Sequence, residues 1–495
     1  MAPPLHGSLL ACLLAVLAAG PARAAVKGKD IYPERELMIT SPAVVDGPQA
    51  KYPEAWSFGG LIERLVGKDE ASACVREWLE TWTKKEVVNR QEVDPRPAIV
   101  EKLIAPWQKR DGYEPDPKKG WEPKLANAPF RLLAIVNRID LCAPAVAGTM
   151  KDVQDHWIAK GREKEFNKLM LAAAGPSTTM GGYGFTGPTN PNVRKGVPGR
   201  GNVIVTQITE ASSAGEGRLV FGAVDGEGKP LEGGFTVIFE FQLAASNTAD
   251  VREWAHRWHE LGVLPVTDAA YPAALEKLTR SFTHTKETVL GQLRTSEAVF
   301  GPGREFRQFS LSGNRLTPTE LSQTPAAVFN RPKSPEQRAL AEFLHEQEPL
   351  IRSGIHQLPA LLPNARLSTP TLAGSATIPA GADGYYWDPG PVVARDARRI
   401  FSLNTCTGCH AGETACAEGL HIHPRAAGTE AALSTFLNRD RTPLRLNDPD
   451  SKGLKVQYEE MSDRADILAA LLEPKDRATM NALHPILRAR LARTH

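Results

Sequence analysis

The chain has 495 residues, 42% of them hydrophobic and 23% charged, enough apolar content to build a large core in two or three domains. Lys plus Arg number 59 against 57 Asp plus Glu, so no dominant field argues for nucleic acid, and no basic-aromatic groove signature is present. The 41 glycines and 39 prolines imply many loops, with no fixed-period repeat or low-complexity tract.

Residues 9–19 form an uncharged apolar run too short to span a bilayer, and Ala22-Arg23-Ala24 supplies small residues for cleavage after Ala24. Residues 1–24 are therefore expected to be a secretory signal peptide, although its opening carries His6 and no Lys or Arg before the apolar run. The mature chain would be periplasmic or secreted. No other stretch approaches a membrane span in length.

Residues 25–55 are Pro-rich and read as irregular. Helical spacing over 57–90 and 97–110 places Leu61, Leu65, Val75, Trp78, Leu79 and Trp82 on apolar faces, and 111–129 reads as a surface loop. Residues 130–136 suit a buried strand, and a helix is expected over 151–173. The Gly-rich stretch 175–201 contains a formal dinucleotide fingerprint at 182–187, but it follows a helix and runs into Pro188 and Pro191, so it reads as a loop. Strands are expected at 203–208, 218–224 and 235–243, the last strictly alternating. Turn chemistry at 225–230 joins the last two as an antiparallel hairpin.

Helices follow at 248–263 and 271–283, an extended segment near 306–311, and a helix at 334–350. His256 and His259 share a helix face, yet match neither HExxH nor HxxEH and lack a third ligand, so they read as a surface or interface pair. Residues 25–355 are thus expected to form an α+β domain of unassigned activity. A Pro/Gly-rich linker, 356–391, would separate it from a unit at 392–495.

That last unit carries the strongest chemical signal. In Asn404-Thr-Cys-Thr-Gly-Cys-His410, two thiols two residues apart precede an imidazole. Cys406 and Cys409 can hold a haem through thioethers while His410 ligates its iron. Val393, Ala397, Ile400 and Phe401 predict an amphipathic helix running into Cys406. Further apolar faces lie at Ile467, Leu468, Leu471 and Leu472, and at Leu483, Ile486, Leu487 and Leu491. If haem takes two thiols, Cys74 and Cys142 could pair, leaving Cys416 single. The rival reading is zinc: Cys406, Cys409, His410, Cys416, His421 and His423 offer six ligands, enough for a structural site such as the two CxxC thiols with Cys416 and His421.

The order of helix, CxxCH, long loop and C-terminal helices resembles a small, mainly α, class I c-type cytochrome domain over about 391–495. The resemblance implies covalent haem c and one-electron transfer to a periplasmic redox partner. It also implies a distal methionine, for which Met461 stands in place, with His421 and His423 as alternatives. Phe130 to Leu141, Asn404 to Thr414 and His421 to Arg425 resemble a set of exported bacterial proteins of unassigned activity. That likeness marks Glu413, Thr414 and Arg425 as candidate haem-pocket residues. An enzyme reading would make 25–355 catalytic, with haem as its electron outlet. A single CxxCH disfavours a di-haem peroxidase.

Overall fold

The computed structural model describes residues 26–46, 53–113, 120–139, 213–245, 248–284, 290–352, 356, 358–362, 369–382, 384–390, 393–416 and 419–472. The expected signal peptide, Cys142, the helix at 151–173, the Gly-rich loop, the strand at 203–208 and the last apolar face lie outside the described residues. Among the described residues, no helix is long and apolar enough to cross a membrane.

An antiparallel sheet organises the molecule. Its strands are β1 (Met38–Ile39), β4 (Phe130–Ile139), β5 (Ser213–Ala223), β6 (Phe235–Ala244), β7 (Leu290–Glu297), β8 (Arg304–Ser312), β9 (Arg315–Thr319) and β10 (Ala376–Ile378). They lie in the order β1-β4-β5-β6-β7-β8-β10, with β9 on β8. Short hairpins β2 (Glu86–Val88) with β3 (Gln91–Val93), and β11 (Leu444–Asp448) with β12 (Ser451–Tyr458), stand apart from it.

Register assigns the two faces. Leu219 opposes Phe239, Phe221 opposes Val237, and Phe239 opposes Leu293, so these residues share one face. Helices α1 (Phe58–Val66) and α2 (Lys68–Glu80), with the turn that follows α2, bring Phe58, Trp78 and Trp82 into an aromatic core against it. Phe58 stacks on Phe130 with centroids 4.3 Å apart, and each ring so buried contributes roughly 1.5–3 kcal/mol of apolar transfer. Helices α3 (Thr248–His259) and α4 (Tyr271–Thr283) extend this layer through Trp254, Trp258 and Phe282.

The opposite face carries Arg138, Arg218, Thr236, Glu240, Arg294 and Ser296, paired across strands. Alternation of this kind ordinarily turns its polar side to water. Here Glu240 is 0% and Arg218 6% exposed, because the C-terminal segment covers them.

Helix α5 (Pro335–Glu346) and α6 (Arg395–Leu403) make a second apolar cluster with Phe329, Trp387 and Phe401. The single-turn α7 (Cys406–Cys409) follows, and α8 (Glu460–Leu472) closes the described chain. An α+β architecture is present overall. The small, separate, mainly α cytochrome-like unit finds no support: the region contains the β11–β12 hairpin, and Leu403, Phe436, Leu437, Tyr458 and Met461 share the core of the sheet. Residues 376–378, within the expected linker, add strand β10 to β8. Periodicity reveals which residues are buried but not against what.

Candidate functional site

Position 408 explains why the CxxCH turn folds as it does. A Cβ there would lie 2.2 Å from the Ser402 carbonyl oxygen, so only glycine lets α7 double back on the end of α6. Thr405 caps the turn, its Oγ1 accepting from Gly408 N at 2.9 Å and donating to the Ser402 carbonyl at 2.8 Å. Cys406 N donates to Thr324 Oγ1 at 2.9 Å, and Trp387 Nε1 donates to Thr407 Oγ1 at 3.1 Å. Glu413 and Arg398 form a short ion pair behind the turn, and Asp448 lies 3.3 Å from the same guanidinium. Cys406 and Cys409 are consequently buried.

His410 Nδ1 lies 2.7 Å from the Gly419 carbonyl oxygen. A carbonyl only accepts, so Nδ1 carries the hydrogen and Nε2 keeps its lone pair, the state a metal ligand needs. His421 packs beside it with ring centroids 4.5 Å apart and tilted by 47°. Its Nε2 is 3.5 Å from Cys409 Sγ and its Nδ1 2.8 Å from Ser434 Oγ. The donor atoms of His410, Cys416 and His421 all lie within 4.8 Å of one another.

Burial, helped by the facing His421, holds His410 well below the ordinary imidazole range, and burial pushes His421 down to about 4. Both rings are therefore neutral near pH 7. Burial raises the Cys406 thiol, partly offset by Arg294 and by Thr324.

A thin gap separates the turn from the charged sheet face. It comprises about 780 Å³ of atom-free space counted to its mouth, of which only about 70 Å³ admits the centre of a water molecule. Cys406, His410, His421, Leu420, Phe436 and Leu437 wall it on one side, and Val136, Val220, Ile238 and Phe306 on the sheet side. These sheet residues span β4 to β8, four strand steps of ~4.8 Å, so the gap runs for about 19 Å. Arg138, Arg218, Arg294, Arg307 and Arg464 also line it. On the other side of His410 and Leu420 lies an open cleft of about 1400 Å³ of atom-free space that Cys416 and His423 also border.

The structure thus gathers Cys409, His410, Cys416 and His421, and sets Cys406 and His410 on one gap. It does not gather the rest. Met461 is buried in the hydrophobic core and does not line the gap, because the start of α8 turns it toward the apolar cluster. Arg425 is a clamp elsewhere: it donates to both Asp46 carboxylate oxygens, at 2.6 and 2.8 Å, and to the Leu132 carbonyl at 2.7 Å. His421 lies beside His410 and turns its Nε2 to Cys409 Sγ. His423 borders the cleft instead of the gap.

Sequence reasoning missed the arginines. The available signal was charge at alternate positions of β5 and β7, which reads equally well as a solvated strand face. No family model, curated protein or solved structure matches this chain.

Proposed function

We propose that this is an exported redox protein that carries haem c on Cys406 and Cys409, with His410 as axial ligand, and passes single electrons to a periplasmic partner. The observation that carries the reading is the long thin gap walled by Cys406 and His410 on one side and apolar sheet residues on the other. When bound, haem would supply a one-electron iron couple whose potential the surroundings set. Gly419 fixes the His410 tautomer and raises the basicity of Nε2. The buried apolar walls exclude water, and the open cleft beside His410 and Cys416 offers a partner its approach. A catalytic role for the large sheet region would use the same residues as its electron outlet.

One observation favours a second reading. His410, Cys416 and His421 form a compact ligand group, with Cys409 next to His421, and a structural zinc site takes such N and S ligands. The chain would then be a zinc-stabilised interaction protein. Both readings require His410, so they exclude each other.

The test is to express the full chain in an exporting host with c-type maturation machinery, then record a pyridine haemochrome spectrum and a metal analysis. Stoichiometric haem, abolished by Cys406→Ala or Cys409→Ala, is expected. Colourless protein with stoichiometric zinc would eliminate the first reading in favour of the second.

A further inference from the structure

The five arginines of the gap are the feature that the turn chemistry leaves unexplained. Among the described residues lining it there is no Asp, Glu or Lys. The carboxylates that pair with these guanidiniums are not among the lining residues: Glu216 and Glu240 pair with Arg218, Glu240 lies 3.7 Å from Arg294, Glu305 pairs with Arg307, and Glu460 lies 2.9 Å from Arg464. The guanidiniums thus border the gap while their partner acids do not, an arrangement that presents donors to whatever occupies it.

Arg138 and Arg218 are also displaced from the thiols. The His410 ring lies 5.0 Å from Phe306 of β8, whereas Arg138 and Arg218 stand on β4 and β5. Three strand steps of ~4.8 Å separate β5 from β8, roughly 14 Å. Burial, with Arg464 and Arg218 nearby, drives the Arg138 guanidinium down to about 9 against the opposing pull of Glu460 and Glu216. Guanidiniums that border an enclosed gap offer charge-assisted hydrogen bonds to a bound carboxylate.

We propose that the Arg138, Arg218 and Arg464 end of the gap is a seat for carboxylates, so that the gap accepts a flat ligand carrying its acid groups at the end remote from Cys406 and His410. This rests on the reading above to the extent that the acid groups are haem propionates. A free dicarboxylic acid is the other source of the same chemistry.

The experiment uses the full chain with Cys406→Ala and Cys409→Ala, which blocks covalent attachment. Haem, haem dimethyl ester and succinate are titrated separately, read by tryptophan quenching and thermal shift. Haem should bind at least tenfold more tightly than its ester. Arg138→Gln and Arg464→Gln should each weaken haem about tenfold and leave the ester unchanged, with partial rescue by lysine. Equal binding of haem and ester, with no effect of either arginine variant, overturns the seat while leaving the haem reading intact. No haem binding, but saturable stabilisation by succinate lost in the glutamine variants, keeps the seat and sinks the haem reading. Binding of none of the three overturns both. Should Arg138→Gln not fold, Arg464→Gln and the ester comparison decide alone.

Discussion

Glu413→Ala tests what holds the CxxCH turn in place. Arg398 is 2% exposed and meets Glu413 in a short pair, with the second Glu413 oxygen at 3.4 Å, Asp448 at 3.3 Å and Asp450 at 3.8 Å. Removing one partner from a buried pair costs about 3–5 kcal/mol, because the remaining charge is stranded. Asp448 and Asp450 stay behind to share the guanidinium, which places the expected loss near the lower bound, about 3 kcal/mol. Glu413→Gln keeps the shape and one hydrogen bond and should lose only about 1–2 kcal/mol. The measurement is urea unfolding followed by tryptophan fluorescence, with Trp387 as a nearby reporter through its carbonyl contact to Arg398. In a double-mutant cycle, Arg398→Met combined with Glu413→Ala should be less damaging than the sum by at least about 1.5 kcal/mol. A Glu413→Ala protein within about 0.5 kcal/mol of the parent, or a coupling of zero, would refute the clamp.

Gly408→Ala forces a methyl group to within 2.2 Å of the Ser402 carbonyl oxygen and should cost about 2–4 kcal/mol in thermal or urea denaturation; an unchanged midpoint would show that α7 tolerates a side chain. His356 is buried beside Phe401 and both its ring nitrogens lack a hydrogen-bond partner among the described residues. Burial drives its pKa from 6.5 to about 4. The fold prefers the neutral ring, so its contribution is whole above pH 6.5 and is lost as pH falls toward 4. That difference is worth at most about 3.5 kcal/mol at about 1.4 kcal/mol per pH unit. His356→Leu should flatten this part of the acid limb, and parallel stability curves for parent and variant would exclude the effect.

Strands and helices with one apolar face were legible because their own side chains dictate them. Phe235, Val237, Phe239 and Phe241 alternate in the sequence and lie on the aromatic face, and the spacing over 271–283 coincides with α4. The turn that holds Cys406, Cys409 and His410 was equally local. What could not be read was partnership across the chain. Glu240 and Arg294 look like solvated strand residues until a segment more than a hundred positions later is laid over them, and Met461 looks like a ligand until α8 turns it into the core. Arg425 looks like part of a pocket until Asp46 appears beside it. Cys416 carried a weak signal by proximity, and folding makes it a neighbour of two imidazoles.

Cys406 and Cys409 are each no more than 1% exposed. A reagent or attachment catalyst can reach them only while the C-terminal segment is lifted from the sheet, so whatever modifies these sulfurs acts before the segment packs or waits for a rare excursion. Their rate of alkylation in the metal-free, unattached chain therefore serves as a clock for that excursion, reporting its free energy without perturbing a single residue.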